Sequence, residues 1–137
     1  MDSLIIIMFA AIVFIAILLL VIIMTTRKAP KGIDREEFRL KWLKIEAKIG
    51  DDESANQMAI INADKLLDHA LKARGFSGET MAERMKKAES QFKDKKSVWL
   101  AHKLRNRIVH EEMTIKRSGT KRALAVYKRA LRDMGAL

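Results

Sequence analysis

From Leu4 to Met24 the chain runs for 21 residues without a charge, and nearly every residue is aliphatic. As a helix rising about 1.5 Å per residue, this run is roughly 31 Å long, close to the thickness of a bilayer's hydrocarbon core. A cleaved signal peptide is the competing reading. It would need a basic start, a shorter apolar core and a small-residue cleavage site. Here the start is Met1-Asp2-Ser3 and the run ends in Met24-Thr25-Thr26. The expectation is a retained anchor over residues 1–26.

Charge sets the expected direction of that anchor. Arg27, Lys28 and Lys31 follow the run, and no cation precedes it. The positive-inside rule then puts the N-terminus outside and residues 27–137 in the cytoplasm, as a single-pass protein of the inner (cytoplasmic) membrane. The same cations would meet anionic headgroups. The run holds no internal charge and no Gly-x-x-x-Gly pair, and no second apolar run follows it. It reads as a tether to the lipid bilayer, not as a transport pathway.

Beyond the run lie about 110 residues, enough for one compact domain. All 27 Lys and Arg fall there, against 16 of the 17 acids, an excess of eleven positive charges. That excess favours nucleic acid or anionic lipid as a neighbour. With no cysteine in the chain, a disulfide framework and a Cys-based zinc site are excluded.

Residues 27–33 read as a juxtamembrane linker punctuated by Pro30 and Gly32. Asp34 and Glu37 then resemble a capping box, and Phe38, Trp42, Ile45 and Ile49 recur at helical spacing. This predicts a helix over 34–49, ended by Gly50. Its other face carries Arg35, Arg39, Lys41, Lys44 and Lys48. Packing into a bundle is the favoured reading, and lying on a membrane is the second. A longer helix is expected from the acid-rich 51–54 to Arg74, with Ala55, Met58, Ala59, Leu66, Leu67, Ala70 and Leu71 inward and Gly75 as its stop. Thr80 and Glu83 cap a short third helix. A fourth is predicted over 97–112, after a polar turn at 93–97. The last follows a loop over 113–119 and carries Ala123, Tyr127, Ala130, Leu131 and Met134 inward. No alternating strand-like run appears. The predicted fold is all-α, with an N-terminal transmembrane helix followed by a four-to-five-helix antiparallel bundle over residues 34–137.

Several kinds of chemistry have no support. There is no Gly-rich phosphate loop, no His-Glu-x-x-His and no serine in an elbow-like setting. The histidines are His69, His102 and His110, and the last two are eight apart where a compact zinc pair needs four. No metal and no cofactor is expected. Any catalysis would rest on Arg, Asn, His and acids.

The segment 101–111 concentrates such residues. At 100° per residue, His102, Asn106 and His110 form a ladder on one helix face. Val98, Ala101, Leu104 and Ile108 form an apolar stripe beside it, and Arg105 falls between the two. Arg105-Asn106-Arg107-Ile108-Val109-His110 resembles the Arg, polar residue, then His signature of the HEPN superfamily. The likeness extends over roughly 34–137, with Asn62–Asp68 similar to the long second helix of such domains. The whole chain resembles small single-span membrane-anchored bacterial proteins.

Active HEPN members are metal-independent ribonucleases, and others bind or scaffold without cutting. The resemblance implies three catalytic candidates: His110 as general acid or base on the ribose 2′-OH, Arg105 stabilising the phosphorane, and Asn106 orienting the phosphate or the imidazole. It also implies a homodimer whose two motifs face each other, an arrangement that a shared membrane plane favours. The alternative is structural. Arg105 would pair with Asp64 or Asp68, Asn106 and His110 would satisfy buried backbone groups, and His102 would be surface or interface polarity. The expected function is a non-catalytic interaction module at the cytoplasmic membrane face, with a second copy and an unidentified protein as partners. RNA binding, or RNA cleavage by Arg105, Asn106 and His110 across a dimer, is the alternative.

Overall fold

The structure, a computed structural model, describes residues 2–26, 32–111 and 113–137. The basic residues Arg27, Lys28 and Lys31, and with them most of the expected linker, lie outside the described residues. All regular structure among the described residues is helical: α1 (Asp2–Thr26), α2 (Arg35–Glu46), α3 (Glu53–Ala73), α4 (Met81–Lys87), a 3-10 turn (Glu89–Gln91), α5 (Lys95–His110) and α6 (Arg117–Asp133). This is the all-α fold expected, an apolar N-terminal helix followed by a helical bundle.

The side chains of α1 stay exposed from Leu4 to Ile23. A helix apolar on every side, with no protein covering it, is long and apolar enough to cross a membrane.

Helix α3 is the centre of the bundle, packed by α6, α2, α4 and α5. Its buried stripe is Asn56, Ala59, Ile60, Ala63, Leu67, Ala70 and Leu71, with Asp64 and Leu66 at the stripe's edges. Met58, expected inward, is 46% exposed because its position lies almost opposite Ile60 on the helix. Helix α2 lays Phe38, Trp42 and Ile45 onto the core, and α6 contributes Ala123, Leu124, Tyr127, Ala130 and Leu131. Met85 and Met134 are fully buried gap-fillers.

Side-chain caps begin most of the helices. Asp34 accepts from the amides of Glu36 and Glu37, Asp52 from Ser54, Thr80 from Glu83 and Asp94 from Ser97. Asp94 makes α5 begin two residues earlier than expected, since its carboxylate serves the orphan amides of the first turn. Helix α3 ends at Gly75 as predicted. With φ of 85°, Gly75 lets the Phe76 amide reach back to the Leu71 carbonyl. Helix α2 stops at Glu46, a turn short of Gly50. There Asn56 holds Gly50 by donating to its carbonyl at 3.0 Å and accepting from its amide at 3.2 Å.

Candidate functional site

The motif helix α5 lies against α3 and α6, and the meeting point of the three is Asp64. Only 2% exposed, Asp64 is a carboxylate buried beside the apolar stripe of α3. Such a group is tolerated only when its lone pairs are used. The Tyr127 hydroxyl donates to Asp64 Oδ1 at 2.9 Å, and His102 Nδ1 lies 2.9 Å from the same oxygen. Arg105 Nε stands 3.5 Å from Oδ2. That is close enough for charge pairing, yet Arg105 Nε makes no aligned hydrogen bond.

The network continues along α5 in one direction. Arg105 Nη1 donates to Asn106 Oδ1 at 3.0 Å, which turns the Asn106 amide nitrogen toward His102 Nε2, 3.4 Å away. With Nε2 accepting, the His102 proton is assigned to Nδ1, facing Asp64. Thus Arg105, Asn106, His102, Asp64 and Tyr127 form a single chain of polar contacts from the α5 surface into the core. Burial and the neighbouring carboxylate push the Tyr127 pKa far upward, fixing it as a neutral donor.

The three predicted site residues part company here. Arg105 and Asn106 are half-buried members of the network. His110, the last residue of α5, is exposed and its ring makes no hydrogen bond among the described residues. The structural alternative is met for Arg105, which faces Asp64. It fails for Asn106 and His110, neither of which serves a backbone group among the described residues. His102, expected as surface or interface polarity, is 8% exposed and sits at the heart of the network. The ladder His102, Asn106, His110 runs off the end of the bundle, so only its first imidazole meets α3. Sequence reasoning missed Tyr127 as a polar partner. A tyrosine in the apolar stripe of α6 and an aspartate beside that of α3 were the available signals, since each needs a buried partner.

A second carboxylate of α3 is taken up separately. Asp68 binds Arg84 through both oxygens, at 2.7 and 3.0 Å, and Lys72 at 2.9 Å. Arg84, 7% exposed, also donates to the Gly78 carbonyl at 2.6 Å, which ties the loop before α4 to α3. Burial opposes the Asp68 charge, but these cations outweigh it and hold the pKa below the usual carboxylate value.

Two surface features lie along α5. A cleft of about 330 Å³ is lined by Asp64, Lys65, Asp68, His69, Lys72, Met81, His102 and Arg105. Between α5 and α6 runs a groove of about 600 Å³, mostly apolar, with Leu100, Leu104, Met113, Ile115 and Val126 along it. Leu100 is 56% exposed. Compared with family models, curated proteins and solved structures, the chain matches none.

Proposed function

We propose that this is a single-span membrane protein whose helical domain, HEPN-like in its Arg105-Asn106-x-x-x-His110 signature, is a non-catalytic interaction module at the cytoplasmic face. The observation that carries this reading is that Arg105 and Asn106 are held in the network around Asp64 and His102, while His110 stands apart from them at the exposed end of α5. A ribonuclease of this type needs an imidazole and a guanidinium free to converge on a phosphate. Here the imidazole joined to Arg105 is His102, with Nδ1 on Asp64 and Nε2 on Asn106. The network serves as a polar clamp on α3, α5 and α6.

The α5–α6 groove gives the module its contact surface, and a second copy held in the same membrane plane is its first partner. Leu100→Glu tests this on the full chain in nanodiscs or micelles. The expected result is a shift from dimer to monomer with the melting temperature unchanged. An unaltered dimer, or a wild type that is monomeric throughout, would remove the groove from the account.

A second reading has its own support. Lys65, Lys72, His102 and Arg105 share the cleft beside Asp64, an arrangement that suits a phosphate backbone. It predicts RNA binding that falls steeply with salt and weakens on Lys65→Ala. Absence of binding at low salt would end it.

A further inference from the structure

Helix α2 is apolar on two sides. Its inner side is the core face of Phe38, Trp42 and Ile45. On the outer side, Leu40 and Leu43 remain 49% and 47% exposed, with exposed Ala47 one turn on. At about 100° per residue these three share one strip. Arg35 and Arg39 flank it on one side, with Lys44 and Lys48 on the other; each row also holds one acid, Glu46 and Glu37, and these are paired with Lys128 and Lys41. Glu36, the acid within the strip, is held by Arg39 at 2.7 Å, so it does not stand as a free negative charge. Arg35, Lys44 and Lys48 form no ion pair among the described residues. Lys44 and Lys48 also border a cavity of about 290 Å³ with Lys65.

We propose that α2 lies along the surface of the bilayer that α1 crosses, with Leu40 and Leu43 in the headgroup boundary and the two cation rows on anionic lipid phosphates. This rests on the membrane-anchored reading above. Leucines bracketed by rows of Lys and Arg are the pattern of an interfacial helix. The chain length agrees. Eight residues separate the end of α1 from the start of α2, which caps the distance between them at about 30 Å. A helix so tethered is never far from lipid, and each cation near an anionic surface adds to its attraction. The inner face stays on α3, so bundle packing and surface lying use different sides of one helix. The outcome for the domain is a fixed orientation, with α2 down.

Because the chain has no cysteine, single labels are simple to place. The full chain is reconstituted at low protein density in phosphatidylcholine vesicles, with or without one-third phosphatidylserine, and spin-labelled at one of three positions. Phe14→Cys reports on the span, Leu43→Cys on the α2 strip and Val109→Cys on an equally exposed apolar residue of α5 away from the α5–α6 groove. The expected result is oxygen accessibility several-fold above that of a water-soluble nickel chelate at positions 14 and 43, the latter only with the anionic lipid, and the reverse at 109. A deep label at 14 with a water-exposed label at 43 would overturn the surface-lying helix while leaving the anchor intact. A water-exposed label at 14 would overturn the anchor and this proposal together. Shielding at 43 that vanishes as protein is diluted in lipid would assign the strip to a second copy, and shielding only on addition of RNA would assign it to nucleic acid; either overturns the proposal.

Discussion

Tyr127 of α6 donates its hydroxyl to Asp64 of α3 across 2.9 Å, in a place where neither residue is more than 2% exposed. The contact joins residues 63 positions apart and puts a carboxylate in the core of the bundle. His102 and Arg105 complete its shell from α5. Much of the account follows from how strongly that centre depends on each partner.

Removing the centre should cost more than removing one donor. Asp64→Ala leaves the phenol, the imidazole and the guanidinium without their acceptor, and a loss of about 3 kcal/mol or more is expected. Tyr127→Phe leaves His102 on Asp64 and should cost about 1–2 kcal/mol. Urea unfolding of the full chain in micelles, followed by helical circular dichroism, ranks the two. Equal losses would mean that Asp64 is not shared.

The two histidines of the ladder should behave oppositely. His102→Ala empties a buried position and strands Asn106, with an expected cost of about 1–3 kcal/mol. His110→Ala touches an exposed, unbonded ring and should stay within about 0.5 kcal/mol of wild type. A melting temperature that falls for His110 and holds for His102 would reverse the assignment made from the geometry.

Alkali offers a direct reading of Tyr127, the only tyrosine in the chain. Its folded-state pKa is raised by burial and by Asp64 above the ordinary 10.0, so the folded state retains the proton that the unfolded state gives up. The stability linked to this group is therefore whole below pH 10.0 and drains away as pH climbs beyond it. Phenolate absorbance should appear only together with loss of helix. Phenolate forming in a fully helical protein would contradict a buried hydroxyl.

Acid acts on Asp68 with the opposite sign. Its folded pKa lies below the ordinary 3.8, so its contribution is complete above that value and is lost as pH falls through the folded one. Asp68→Asn should flatten that part of the acid unfolding curve and loosen α4, seen as faster amide exchange over 78–88. An unchanged acid limb would place the acid sensitivity in other carboxylates.

The fold was legible because its determinants are local. Apolar spacing marks α2 through α6, and Asp34, Thr80 and Gly75 mark their ends. The site was legible only in part. Arg105 and Asn106 stand out by spacing, but whether His102 or His110 joins them depends on where α3 crosses α5. That crossing is a contact between residues 38 apart, on which the pattern within α5 is silent. The same holds for Tyr127, which reads as plain core until Asp64 is found beside it. Leu40 and Leu43 were hidden for another reason: two leucines among five cations look like an ordinary solvated face until the core claims the opposite side.

The central claim, that Arg105 and Asn106 belong to a clamp with His102 and Asp64 and not to a cleavage site with His110, is tested most directly by incubating the purified full chain with mixed RNA in EDTA. Wild type and His110→Ala are compared side by side. The account predicts the same background decay for both. Cleavage by wild type that disappears in His110→Ala would contradict it and make His110 a catalytic residue.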